Sequence, residues 1–340
     1  MPEKILIVRM SAMGDVVQTT PVARGLKIAR PASHITWFVQ APFAPLLAHN
    51  PHIDELIVLP ARPRPADLLE AWWRLKAAQF DITVDVQGLL KSAFVTWTSA
   101  APRRIGKEEA REAARFAYTE LSPERWDQRY ISQRYLEQCQ SLGVSRDDFR
   151  PELFLIPDDF ALVDEVYATE GLDASAPVVV LVPFSAGPRK EWPPDYVVCL
   201  AELLTDRLGA RIIIPGSAPE RERAQALADR ISRPPTVLAG RTSMREAAAF
   251  LQRADLVIGV ESGLTHMAYA LGTPVVCIHG CGPLRNTPVG PFTRAVYIED
   301  IPCRPCRPST PCAHRRCLLE LTPEMVWAAV EDLAAEVGLR

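Results

Sequence analysis

Five short stretches of this sequence carry side chains able to do chemistry, and each follows directly on a run of apolar residues. Ser11-Ala-Met-Gly14-Asp15 contains one carboxylate. Asp15 in that place can act as a general base, or it and Ser11 simply cap a helix N-terminus. Gly14 suits a tight turn or a close backbone approach. In Pro183-Phe-Ser185-Ala-Gly-Pro-Arg-Lys190-Glu-Trp192, Ser185 and the following amides can receive a phosphate, and Lys190 can neutralise charge on a diphosphate leaving group. Only six of the 38 basic residues are lysines, and none follows Lys190. Gly259-Val-Glu261-Ser262-Gly263-Leu-Thr265-His266 places free N–H groups at a helix start, an anion site; the plainer alternative makes Glu261 and Ser262 caps and His266 a satisfied buried side chain. Glu220 either holds a ribose diol or complements a helix dipole. Asp85-Val-Gln87-Gly-Leu-Leu-Lys91-Ser92 precedes a stretch, 101–135, with eight basic and six acidic residues. There Lys91, Arg104, Lys107 and Arg111 read as a cationic acceptor site or as a solvated mixed-charge face.

The elements that position these residues follow from pattern. Short Ile/Val-rich runs at Lys4–Met10, Ile35–Val39, Leu56–Leu59 and Ile82–Val86 read as buried strands. Helices are expected between them, from Asp15, over Pro42–Asn50, Leu68–Ala78 and Leu89–Thr98, and again over Ile131–Leu142. The alternation restarts with strands at Val178–Val182, Arg211–Ile214, Thr236–Leu238, Leu256–Val260 and Val275–Ile278. Helices are expected at Pro194–Arg207, Glu220–Ile231, Met244–Gln252 and Leu264–Leu271. Such alternation predicts parallel α/β sheets, two in tandem. The domain limits expected are 1–160 and 175–322, followed by a C-terminal helix over 323–340. In open sheets of this kind ligands sit at the carboxyl ends of the strands, where all five stretches fall.

Composition excludes other classes. At 48% hydrophobic and 23% charged, with a net charge of −3, the 340 residues suit two soluble domains and give no sign of nucleic-acid binding. The first strand is not followed by G-x-G-x-x-G, nor is there a G-x-x-x-x-G-K-[ST] motif. Apolar runs are strand-sized, far below the ~18–20 residues that span a bilayer. MPEKILIVRM lacks the apolar core of a signal peptide, so a cytoplasmic location with reduced cysteines is expected.

Taken together, S-A-M-G-D-V, D-V-Q-G-L-L-K-S, S-A-G-P-R-K-E-W and G-V-E-S-G-L-T-H-M-A-Y-A-L-G-T-P-V resemble glycosyltransferase family 9, the ADP-heptose:lipopolysaccharide heptosyltransferases. With I-G-K-E-E-A-R-E-A the likeness is strongest to heptosyltransferase I. The resemblance covers essentially the whole chain. It implies a GT-B fold: two Rossmann-like domains facing across a cleft, acceptor on the N-terminal one and donor on the C-terminal one. It also implies an inverting, metal-independent transfer from ADP-heptose, with no cofactor, to Kdo-bearing lipid A at the cytoplasmic face of the inner membrane. By resemblance Asp15 is the base, and Lys190 acts with it in catalysis. Ser185, Glu220, Glu261, Ser262, Gly263 and His266 hold the donor. Ser11, Gly14, Gln87, Lys91, Arg104, Lys107 and Arg111 serve the acceptor. Glu261 and Ser262 stand where the family's D-T-G-x-x-H has Asp and Thr, and Ala186 where heptosyltransferase I has a second hydroxyl.

Cys303-x2-Cys306-x5-Cys312-x4-Cys317, with Arg304, Arg307, Arg315 and Arg316, holds half of the eight cysteines. It reads as a reduced, proline-stiffened loop or as a metal or redox module; no metal ligand is assigned. Cys139, Cys199, Cys277 and Cys281 read as scattered. The functional alternatives are a family member with another donor or acceptor, such as a later core heptose, and a non-enzymatic module built on these cysteines.

Overall fold

The computed structural model describes residues 2–122, 130–172, 175–306, 312 and 314–339. Arg125, Arg129 and Arg307 of the basic stretches therefore lie outside the described residues. The chain divides into two units, Met1–Phe154 and Leu155–Arg340.

The first unit runs β1 (Lys4–Val8), α1 (Met13–Ala29), β2 (His34–Gln40), β3 (Glu55–Leu59), α2 (Pro65–Ala78), β4 (Ile82–Asp85), α3 (Leu90–Thr98), β5 (Arg103–Lys107), β6 (Glu120–Ser122) and α4 (Ile131–Glu137). The second runs α5 (Ala161–Glu170), β7 (Val178–Val182), α6 (Pro194–Leu208), β8 (Arg211–Ile214), α7 (Arg221–Ala228), β9 (Thr236–Val237), α8 (Met244–Arg253), β10 (Leu256–Val260), α9 (Gly263–Leu271), β11 (Val275–Ile278), β12 (Thr293–Val296), α10 (Arg316–Leu319) and α11 (Pro323–Val337).

Each unit builds one six-stranded sheet, ordered β3-β2-β1-β4-β5-β6 and β12-β11-β10-β7-β8-β9. Every strand pair is parallel. The two orders are the same doubly wound pattern, so each unit has a switch point: between β1 and β4, and between β7 and β10. There the loops leave in opposite directions and open a crevice at the strand carboxyl ends.

The central strands are buried on both faces, hence their near-continuous Val, Ile and Leu content. In the first unit Ile5 and Ile7 of β1 pack with Val16, Val22 and Leu26 of α1 and with Tyr135 and Leu136 of α4. Leu6 and Val8 point the other way, to Ala71 and Leu75 of α2 and Val95 of α3. In the second unit β7, β8, β10 and β11 share a core with Leu200 and Leu204 of α6 and Val326, Val330 and Leu333 of α11.

The structure departs from the expected elements where tertiary pairing outweighs local pattern. Two parallel strands, β5 and β6, lie inside the arginine-rich stretch. Their sequences, RRIGK and ELS, carry too few apolar residues to show as buried runs. The helix expected over Ile131–Leu142 stops at Glu137, and a 3₁₀ turn follows at Gln140–Leu142 before Gly143 at φ +85°. The Pro42–Asn50 helix is a 3₁₀ turn over Ala44–Leu47. The Glu220–Ile231 helix splits into a turn, Ala218–Glu220, and α7. β12 and α10 went unrecognised because TRAV is half polar, with no apolar run, and RCLL is a single helical turn, too short to show periodicity.

Candidate active site

At the switch point of the first sheet, β1 hands over to Arg9, whose side chain is buried although it is charged. Its guanidinium donates to Val86 O (3.1 Å) and to the Tyr135 hydroxyl (2.9 Å). It also lies 2.7 Å from Asp15 Oδ1. Asp15 stands on the first turn of α1, three residues past Ala12 and next to Gly14, with its side chain about half exposed. Tyr135 O–H donates to the same Oδ1 at 3.5 Å. Among the described residues Oδ2 receives only the long Ala12 N–H bond of 3.4 Å. One oxygen is thus tied down and the other is open to an acceptor hydroxyl, the arrangement a general base needs.

The neighbouring strand ends supply the rest. Gln87, after β4, accepts from Met10 N–H (2.8 Å) and so fixes the loop that bears Ser11. Lys91, on the first turn of α3, donates to Ser11 Oγ at 2.9 Å. Asp85 is fully buried; it accepts from Gln87 N–H (2.9 Å), Gly88 N–H (3.0 Å) and the Tyr118 hydroxyl (2.8 Å). Burial raises its pKa, against the pull of those donors. Lys107 ends β5 and lies over Gly88, where a Cβ would come within 2.3 Å of its Cε. Burial, together with the charges of Arg9 and Arg111, lowers the Lys107 pKa to about 8. Arg111 N–H donates to Gly88 O (3.0 Å), which brings its exposed side chain to the same loop. Arg104 is used differently: its guanidinium donates to Ala117 O and Ala101 O, each at 2.7 Å, and braces the chain after β5.

The second sheet carries a separate cluster at the ends of the adjacent strands β7 and β10. Lys190 closes a 3₁₀ turn, and its Nζ lies 2.6 Å from Glu261 Oε2. Glu261 is buried, with Oε1 3.6 Å from the Nε2 of buried His266. Burial would raise the Glu261 pKa, but the His266 hydrogen bond and the Lys190 ammonium hold it at about 2. The fit is close, because a Cβ on Gly282 would approach Glu261 Oε2 to 2.7 Å. Ser262 caps α9 by accepting from Thr265 N–H (3.4 Å), and Gly263 is the first residue of that helix. The first-turn N–H groups have no intrahelical acceptor and point at the strand ends.

Ser185 and Glu220 organise their own loops. Ser185 Oγ donates to Gly187 O (2.8 Å), and its N–H donates to buried Glu191 (3.2 Å), which is ion-paired with Arg223. Glu220 Oε2 accepts from Ser217 N–H (2.6 Å) and Ser217 Oγ (2.7 Å), and Oε1 has no partner among the described residues.

Cys281, read from the sequence as scattered, stands with the cysteine-rich segment. It accepts from Cys306 N–H at 2.9 Å. Burial, then Cys281, Cys303 and Cys312 nearby, raise the Cys306 pKa; burial takes Cys317 to about 11. These two are therefore neutral thiols at neutral pH. Among the described residues no group of three His, Cys, Asp or Glu side chains is arranged to hold a metal ion.

The family model described as Glycosyltransferase family 9 (heptosyltransferase) matches residues 68–320. The chain is 31% identical to lipopolysaccharide heptosyltransferase 1 of Pseudomonas aeruginosa, over 90% of this chain and 87% of that one. The chain belongs to glycosyltransferase family 9. It is also 28% identical to lipopolysaccharide heptosyltransferase 1 of Escherichia coli K12, over 82% of this chain and 88% of that one. Among solved structures, a family 9 glycosyltransferase from Veillonella parvula superposes with a TM-score of 0.85 at 23% identity, covering 98% of each chain. The E. coli heptosyltransferase WaaC with ADP-2-deoxy-2-fluoro heptose gives 0.70 at 26% identity, over 97% of this chain and 99% of that one. The protein is thus a glycosyltransferase of α/β, GT-B fold, and the reading of the cysteines as a non-enzymatic module falls away as its main function.

Sequence reasoning missed Arg9, Tyr135, Glu191 and Arg223 in this enzyme. A charge directly after a buried strand marks Arg9, and that signal was available. Nothing local marks Tyr135, which lies 126 residues further along the chain.

Proposed function

We propose that this glycosyltransferase moves a heptose from ADP-heptose to the Kdo of the lipopolysaccharide inner core, with inversion at the anomeric carbon and without a divalent ion. The observation that carries the reading is the clamped carboxylate of Asp15: Oδ1 is bound to Arg9 and Oδ2 is left for an incoming hydroxyl. Asp15 takes the proton of the acceptor hydroxyl as that oxygen attacks the anomeric carbon from the face opposite ADP. The transition state has oxocarbenium character, as in glycoside chemistry. Lys190 and the first-turn N–H groups of α9, at Ser262 and Gly263, take the charge that develops on the departing diphosphate. Before the donor arrives, Glu261 is the counter-ion of Lys190, and His266 steadies Glu261. Ser185 meets a phosphate by turning its hydroxyl away from Gly187 O, and Glu220 presents Oε1 to the ribose. Lys91, Lys107 and Arg111, with Ser11 and Gln87, suit the carboxylates and phosphates of Kdo-bearing lipid A. The greater likeness to heptosyltransferases named 1 favours the first core heptose over a later one. Such an enzyme works at the cytoplasmic face of the inner membrane. Among the described residues no helix is long and apolar enough to cross a membrane.

The test is ADP release from ADP-heptose, with and without Kdo-bearing lipid A, in excess EDTA. Acceptor-dependent release is expected, with the opposite anomeric configuration in the product. Asp15→Asn should lower kcat by roughly 10³-fold or more, within the range of general-base catalysis, while donor affinity stays near wild type. Loss of turnover in EDTA that added magnesium restores, or an Asp15→Asn variant within a few-fold of wild type, would overturn the mechanism.

A further inference from the structure

Helix α3 is built inside out. Its buried positions are Ser92, Ala93, Val95, Thr96 and Thr98, small or hydroxylated residues. Ser92 and Thr96 satisfy their hydroxyls within the helix, on Leu89 O and Ser92 O, each at 2.9 Å. The large apolar side chains point outward: Leu90, Phe94 and Trp97 are 59%, 59% and 61% exposed. Their spacing of four and three residues makes one stripe down one face. The Phe94 and Trp97 ring centroids are 6.4 Å apart. Beside the stripe, the 3₁₀ turn Ala114–Ala117 packs through Ala114 and Ala117 against Ala93 and leaves Phe116 83% exposed. On α2, in the same layer over the sheet, Ala71 and Leu75 face inward while Leu69 and Trp73 are 57% and 60% exposed. A soluble surface scatters such residues singly; a contiguous patch marks an interaction site.

We infer that this face docks on the surface of an anionic lipid bilayer. Three observations select that occupant. The aromatic residues are Trp and Phe on short helices lying side by side, the composition of an interfacial anchor. Exposed cations rim the patch: Lys91 at the head of α3, with Arg111 and Arg115 on the adjoining loop, where neither arginine pairs with a carboxylate among the described residues. Of the acidic residues on that loop, Glu108 and Glu109 face solvent and Glu112 accepts from Leu90 N–H at 3.1 Å. Finally, the stripe begins on the turn that bears Lys91, whose ammonium is bound to Ser11 of the Asp15 loop. The inference rests on the proposed lipid-linked acceptor: its acyl chains stay in the bilayer, so the loop that receives its sugar must be brought to the lipid surface.

The experiment is co-sedimentation of the full chain, without substrates, with vesicles of phosphatidylglycerol and phosphatidylethanolamine. Wild type is expected to sediment with them. Phe94→Ser/Trp97→Ser should weaken the partition about tenfold or more, given the apolar area withdrawn. Phe94→Leu/Trp97→Leu, which keeps the stripe apolar, should retain most of it, so that loss through misfolding is told apart. Turnover of a delipidated, water-soluble acceptor should be unchanged in the serine variant. Equal vesicle binding by wild type and the serine variant would overturn the inference. So would a lipid-free wild-type dimer that the serine variant dissociates, because a second copy of the chain would then cover the stripe. Failure of sugar transfer to either acceptor would refute the proposed reaction, and the vesicle result would be read independently of it.

Discussion

Replacing Glu261 by glutamine keeps the size of the side chain and removes its charge, so it imitates the protonated carboxyl. The ordinary carboxyl pKa of 4.5 falls to about 2 here, against a burial cost that by itself acts upward. At 1.36 kcal/mol per pKa unit, ionised Glu261 contributes about 3 kcal/mol to folding at neutral pH. Because the folded-state pKa is the lower one, this stabilisation is complete above pH 4.5 and is lost as pH falls toward 2. The wild-type protein should therefore exceed Glu261→Gln by about 3 kcal/mol at pH 7 and by about 2 kcal/mol at pH 3.5. Other carboxylates titrate in both proteins and cancel in the difference. Urea unfolding at the two pH values measures it, with fluorescence reporting Trp192, which is buried in the second unit and donates to Leu321 O. A gap below about 0.5 kcal/mol at pH 7, the size of an ordinary surface change, would refute the reasoning. So would a gap that does not narrow on acidification. Lys190 would also lose its counter-ion, so the same variant should bind ADP with altered affinity, measurable by calorimetry.

Other expectations follow from single contacts. With Lys107 titrating at about 8, the KM for an anionic acceptor should rise as pH climbs through 8 and the cation is lost. Lys107→Arg should flatten that rise, as steady-state kinetics between pH 7 and 9.5 would record. Arg9→Met leaves the Asp15 oxygen that it held unclamped and is expected to lower kcat by roughly 10²-fold with little change in donor KM; an unchanged kcat would remove Arg9 from the site. Gly106→Ala would put a Cβ 2.2 Å from the Tyr118 ring and force the ring off its bond to Asp85. A loss of about 2–3 kcal/mol in unfolding free energy is expected, and a variant as stable as wild type would contradict it.

Both switch-point clusters were legible in the chain because loops after buried strands are short and their chemistry is local. Asp15, Lys190 and Glu261 each follow an apolar run by a few residues. The partners that tune them were less so. Lys190 and Glu261 are 71 positions apart, and only the pairing of β7 with β10 brings their loops together. Arg104 looked like a free cation in a basic stretch, yet it braces two carbonyls, since the strand it lies on is invisible to hydrophobic pattern.

By itself the sequence determined two parallel α/β sheets in tandem and set the five chemistry-bearing stretches after their strands, whereas the strand order came from the structure. Strands buried on both faces read as apolar runs, and parallel pairing needs a helix between them. Only the tertiary structure decided which way α3 faces. Periodicity identifies a helix there but would turn Leu90, Phe94 and Trp97 toward a core. The close approach of Ala114 and Ala117 to Ala93 leaves room on the inner side for small residues alone, and the large ones are left outside. The clamp on Asp15 was decided in the same way, because a buried arginine takes its partners from whatever the fold places within reach, and here that includes a tyrosine from α4.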